Sequence, residues 1–350
     1  MNATNYTIVP SRELTELLDR ALQKIGAEID ALRLPKLAQV VLGGGYGRGE
    51  GGVRHSLQGD RPYNDLDFFV FSDHADRQER RAIRDALKPI SEKWERQLGI
   101  AVDFSPVKNL DSLYGVGATL MFQELRRGWK PVWGDAGFTR YIPEREAAKL
   151  PITEAVRLLL NRGMGLILAG GELQEGGDPD FIMRNLHKSV LGGGDALLIA
   201  SGNYRWHGAE RVEALREYAA ENVLIPGFAE CYAVAFRYKI EPDPRLPEDP
   251  MGLWRKCREL YLEAARRVAG YPAAASPNAV AAGLHKAAKN ERCFKNFLRW
   301  TLRGGGIRPP YAIFDIPFVT VATLVYRLLA TGPECPPCPK RLLRLWQKFN

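Results

Sequence analysis

The chain has 350 residues, 45% of them hydrophobic and 26% charged, with a formal net charge of +8. This composition excludes a wholly disordered chain, and the length exceeds the roughly 250 residues at which single cores stop growing, so two domains are expected. The positive balance favours anionic partners such as nucleotides, nucleic acid or acidic headgroups, and selects no one of them.

The first residues lack the basic start and unbroken apolar run of a secretory signal. Five scattered cysteines do not form a disulfide framework, so a cytoplasmic location is expected. Ser11 stands as an N-cap before Leu14, Leu17, Leu18, Leu22, Ile25 and Ile29, a stripe at helical spacing that predicts a helix covering one face of a sheet. A strand at 39–42, a glycine-rich turn, a strand at 66–71, a helix at 75–98 and a strand at 100–107 follow. This alternation predicts an α/β unit over residues 1–150.

Three segments of that unit carry chemistry. Gly43, Gly44, Gly45, Tyr46, Gly47, Arg48, Gly49 and Glu50 form a turn directly after the first strand. Such a turn lets the backbone approach a phosphate chain, or it is simply tight; it lacks the Gly-Lys-Ser/Thr ending of a P-loop. Asp65 and Asp67 then open an apolar strand, and residues two apart on a strand project from one face, so both carboxylates converge. A divalent cation would neutralise them, or they mark a solvated strand end. Asp103 sits between Val102 and Phe104, where it is bound to metal or paired with an arginine.

From residue 151 the pattern turns helical, at 153–168, 181–199, 209–220, 228–240 and 251–268, with a four-proline loop at 241–250 and a glycine/proline break at 303–310. An all-α domain over 151–350 is expected, with a separate C-terminal segment from about 303. The apolar stretch 312–330 is interrupted by Asp315, Pro317 and Arg327, and reads as a buried helix instead of a membrane span. Cys335 and Cys338 read as free thiols, since no second pair of ligands lies near them. The tail 340–349 spaces Leu342, Leu345, Trp346 and Phe349 helically among basic residues, which fits packing on the body or peripheral contact with a membrane surface.

The order of glycine turn, Asp-x-Asp and isolated Asp resembles the DNA polymerase β-type nucleotidyltransferase superfamily, closely over residues 39–107. The resemblance implies an α+β fold, with a nucleotidyltransferase domain built on a mixed sheet followed by a helical domain. It implies that Gly44 and Gly45 hold a triphosphate, that Asp65, Asp67 and Asp103 bind Mg2+ or Mn2+, and that the substrate is a nucleoside triphosphate, ATP being expected. Arg48 would offset phosphate charge, or form a structural ion pair with Glu50 or another carboxylate. The segment Asn185, Leu186, His187 and Lys188, with Tyr204 beyond, is similar to helical domains attached to such enzymes; Lys188 would reach the triphosphate and Tyr204 would stack on the base.

Two departures stand out. Gly45 replaces a serine common in the family, and the stretch from Glu50 to Asp65 is longer than in compact members, as a flexible loop over the site would be. The expected activity is transfer of a nucleoside monophosphate to a hydroxyl of a small molecule or protein. The alternatives are an RNA or tRNA nucleotidyltransferase, disfavoured for want of a basic-aromatic RNA module, and a catalytically silent nucleotide-binding module.

Overall fold

A computed structural model describes residues 5–116, 119–271, 274–287, 298, 300–302 and 316–349. The chain forms two compact units, one of Met1–Glu146 with Arg237–Pro242 and one of Ala147–Phe236 with Asp243–Asn350. The division therefore falls after Glu146, and a short distant segment joins the first unit, which no boundary drawn along the sequence anticipates.

The first unit is built on a mixed sheet. Helix α1 (Arg12–Ala31) begins at Ser11, whose Oγ accepts the Leu14 N–H at 3.1 Å. Its apolar stripe packs on the sheet together with α3 (Arg77–Leu98), which starts at a reciprocal Asp76/Glu79 capping box. The strands are β1 (Leu37–Leu42), β2 (Gly52–Arg54), β3 (Arg61–Tyr63), β4 (Asp65–Ser72), β5 (Ala101–Phe104), β6 (Lys108–Asn109) and β7 (Lys130–Trp133). Their order is β5-β4-β1-β7, with β6 pairing β4 beyond β5. Strand β1 runs antiparallel to β4 and β7, whereas β4 runs parallel to β5 and β6.

Alternation along β4 divides the core in two. Leu66, Phe68 and Val70 face α1 and α3, while Phe69 and Phe71 face α5 (Leu120–Arg127) and Phe138. Between β1 and β4 lie α2, a single turn at Gly44–Gly47, and the β2–β3 hairpin. A short α4 (Leu113–Val116) precedes α5.

Two expectations change here. The strand expected over 100–107 stops at Phe104, because Ser105 turns inward. Its N–H donates to the Phe68 carbonyl at 2.7 Å, and its Oγ accepts the Val70 N–H at 3.1 Å. The stretch read as a flexible loop is instead an antiparallel hairpin whose base is tied to the glycine turn. Tyr46 Oη accepts the Tyr63 N–H at 2.6 Å and donates to the Gly52 carbonyl at 2.6 Å.

The second unit has no strand among its described residues. It comprises α6 (Ile152–Glu175), α7 (Pro179–Ala200), α8 (Gly208–Glu221), α9 (Phe228–Ile240), α10 (Pro250–Val268), α11 (Pro277–Ala287), α12 (Pro317–Thr331) and α13 (Lys340–Phe349), the last turn of α9 belonging to the first unit. Helices α7, α10 and α12 pack on α6, and Trp254 is buried among them with its Nε1–H donating to the Leu166 carbonyl at 2.9 Å. The break expected at 303–310 lies outside the described residues. Helix α12 is buried, as its composition predicts. No helix among the described residues is long and apolar enough to cross a membrane. The apolar face of α13 packs within this unit through Leu342, Leu345 and Phe349, and Trp346 Nε1–H reaches Asn161 Oδ1 at 2.9 Å. Cys335 and Cys338 are both free thiols.

Candidate functional site: a carboxylate face beside a glycine turn

The sheet register decides where the three aspartates stand. Asp67 on β4 pairs directly with Asp103 on β5, and Asp65 pairs with Ala101. Because Leu66 and Val102 point into the α1/α3 core, Asp65, Asp67 and Asp103 share the opposite face, at the end of the sheet where the Phe69/Phe71 core stops. Phe68 and Phe104 stack with ring centroids 5.0 Å apart and hold the two strands in this register.

The glycine turn meets the same face. Its Gly43 N–H donates to the Asp67 carbonyl at 2.8 Å, extending the β1–β4 pairing into the turn. Gly44 has φ +60°, and a Cβ added there would lie 2.1 Å from Asp67 Oδ2. No other residue fits, since the left-handed backbone and the close carboxylate both exclude a side chain.

Electrostatics at this face are unfavourable as the side chains stand. The Asp103 carboxyl titrates above the usual carboxylate range, first through burial and then through repulsion from Asp65 and Glu95. Glu95 was not singled out in the sequence; it lies near the end of α3 and accepts the Val102 N–H at 3.3 Å, and only the return of the chain brings it to β5. Asp65 Oδ1 accepts a short hydrogen bond from Asn64 Nδ2. Among the described residues no three His, Cys, Asp or Glu side chains are gathered so as to hold a metal ion. The donor chemistry nonetheless fits an oxygen-ligated divalent cation, whose binding requires the three carboxylates to converge from a face they already share.

Arg48 does not stand ready for phosphate. Its Nη1 lies 3.1 Å from Glu124 and its Nε 3.7 Å from Glu50, and the side chain is only 16% exposed. Glu50, itself buried, also pairs with Lys239 Nζ at 3.0 Å. Arg48 is thus held in a structural ion-pair cluster within the first unit. Lys239 gave no signal in the sequence, being 189 positions from Glu50.

Lys188 and Tyr204 belong to the second unit. Lys188 is half-buried on α7. Tyr204 is 1% exposed, with Arg211 Nη1 donating to its hydroxyl at 3.0 Å and Trp206 packed edge-on to its ring. The expected stacking role is corrected here: a ring enclosed in the unit's core presents no face to a base. His187, on the same helix as Lys188, is buried, and burial lowers its pKa from 6.5 to about 4. Stability from a neutral His187 is therefore fully present above pH 6.5 and is lost as pH falls towards 4. The loss amounts to about 3 kcal/mol. His187→Gln should flatten that part of the profile, which urea unfolding between pH 7 and pH 4 would measure.

Comparison with protein-family models, curated proteins and solved structures finds no match.

Proposed function

We propose that the first unit transfers a nucleoside monophosphate from a nucleoside triphosphate to a hydroxyl acceptor, small molecule or protein, with release of pyrophosphate and dependence on Mg2+ or Mn2+. The observation that carries this reading is the register setting Asp103 beside Asp67, with Asp65 on the same face and the Gly44 backbone against the Asp67 carboxylate. Asp65, Asp67 and Asp103 would hold the cation. Bound there, it supplies charge neutralisation for the attacking and leaving oxygens of an in-line displacement. A bond forms between the acceptor oxygen and the α-phosphorus, the bridge to the β-phosphate breaks, and pyrophosphate leaves. Asp103, on the shared face opposite Asp67, would also help to take the acceptor's proton.

The test is incubation of the full chain with each α-labelled triphosphate, Mg2+ or Mn2+, and a cell extract. Label transferred to a discrete acceptor by wild type and not by Asp67→Asn is expected. Absence of transfer with all four nucleotides would overturn the reading. A second reading, nucleotide binding without transfer, draws on the spread carboxylates and on Arg48 being engaged by Glu124 and Glu50. It requires saturable triphosphate binding in the same samples without transfer.

Gly45 allows a constructive check. A Cβ there meets nothing closer than the Glu50 carbonyl oxygen at 3.4 Å, ordinary contact, so a serine fits. Gly45→Ser adds a hydroxyl where related turns carry one. A hydrogen bond to a charged phosphate contributes about 1.5 kcal/mol or more, so triphosphate affinity should rise about tenfold. Calorimetric titration with a non-hydrolysable triphosphate reads this directly, and unchanged affinity would remove the turn from the triphosphate site.

A further inference from the structure

The tip of the β2–β3 hairpin carries a side-chain cluster that the carboxylate face does not use. His55 Nδ1 lies 2.6 Å from Asp60 Oδ1, across the loop that closes the hairpin. His55 Nε2 lies 3.6 Å from Glu241 Oε1, in the distant segment that completes the first unit. Asp60 is held in turn from α1: Ser11 Oγ donates to Asp60 Oδ2 at 2.6 Å, and Glu13 Oε2 accepts the Asp60 N–H at 3.0 Å. The remaining charges nearby are Arg54 and Arg61, opposite each other at the base of the loop; Arg61 donates to the carbonyls of Gln58 and Asp60.

A neutral imidazole has one N–H, whereas both nitrogens of His55 face carboxylates. Only the imidazolium can donate to Asp60 and at the same time turn an N–H and a positive charge towards Glu241, 3.6 Å away. We infer that His55 is a protonation latch: charged, it clasps the hairpin to the Glu241 segment, and neutral, it releases one of the two attachments. The titration agrees in direction, since the hydrogen bond to Asp60 raises the affinity of His55 for its proton and Glu241 adds to this. For a histidine so raised, the stabilisation is complete below its ordinary value of 6.5 and is lost as pH rises through the higher folded-state value. The side chain is 56% exposed, so the clasp is salt-sensitive and modest in strength.

The position gives the latch its consequence. Strand β3 ends at Tyr63, with only Asn64 between it and Asp65, and the Tyr63 N–H is the one held by Tyr46 of the glycine turn. The hairpin that the latch clasps is thus continuous, through Asn64, with the aspartate-bearing strand. The latch is a property of the hairpin and stands whatever reaction the carboxylates serve.

The experiment is amide hydrogen exchange of residues 52–63 in the full chain between pH 5.5 and 9, corrected for intrinsic exchange, in wild type, His55→Gln and His55→Lys. The His55 titration is followed by NMR in wild type, Asp60→Asn and Glu241→Gln. In wild type, hairpin protection should fall as pH passes the His55 titration, by up to about tenfold for each unit by which its pKa exceeds the free value. His55→Gln should be poorly protected and His55→Lys well protected, both without that pH step. Asp60→Asn should move the titration down further than Glu241→Gln. An ordinary His55 titration in all three proteins, or hairpin protection that ignores it, would overturn the latch. Because the reporting amides lie in the hairpin, this outcome is independent of whether nucleotide transfer is found.

Discussion

Asp67→Asn is expected to reduce nucleotidyl transfer by on the order of a thousandfold or more, with the fold intact. The substitution keeps the volume of the side chain that lies against Gly44 and removes one anionic ligand from the shared face. Asp103→Asn provides the companion measurement. Its carboxylate is disfavoured in the folded state by burial and by Asp65 and Glu95, so neutralising it should leave the Tm unchanged or slightly raised while transfer is lost. The gain stays well below about 1 kcal/mol, because the side chain is only partly buried and solvent screens its neighbours. Loss of activity without loss of stability is the pattern of a group kept for chemistry. A drop in Tm accompanying the loss would make these carboxylates part of the scaffold, and near-normal transfer by well-folded Asp67→Asn would exclude its assigned role. Transfer is measured under saturating metal, and Tm by thermal melts without it.

Asp195→Ala should strongly destabilise the second unit, costing about 3 to 5 kcal/mol. Asp195 Oδ1 accepts the Tyr232 hydroxyl at 2.6 Å and lies 3.1 Å from Arg211 Nε. Arg211 is 5% exposed, and its guanidinium also donates to Tyr204 Oη and to the carbonyls of Arg205 and Trp206. Removing the carboxylate takes away the anionic oxygen 3.1 Å from a buried guanidinium and the acceptor of the Tyr232 hydroxyl. The Tm should fall by on the order of 10 °C. The cause can be separated from simple loss of packing. Pairing Asp195→Leu with Arg211→Met removes both charges, and the double variant should recover most of the loss, because a buried ion pair can be replaced by apolar volume at little cost. Additive losses in the double variant would show that packing dominates. Tyr204 belongs to this network, which gives a physical reason for its being a tyrosine in the core.

The sequence by itself determined the long helices of both units, the strand β4 and the shared face of Asp65 and Asp67. Ser11 and the leucine stripe determine α1 because capping and helical spacing act over a few residues. Asp65 and Asp67 share a face because strand side chains alternate, whatever lies beside them. The tertiary structure decided everything that depends on which strand neighbours which. That β5 lies parallel to β4 with Asp103 opposite Asp67, and not shifted by one residue to the other face, is set by Phe68 stacking on Phe104 and by the two cores on either side of the sheet. Arg48 was compatible with phosphate or with an ion pair when read along the chain; the tertiary structure sets it beside Glu124 and Glu50. Lys239, Glu241 and the partners of Tyr204 come from residues far away or around a bend, and periodicity carries no information about such contacts. The stretch between Glu50 and Asp65 shows the same limit: its polar residues and glycines resemble those of a loop, and it is a hairpin because the Tyr46 hydroxyl pins both of its ends.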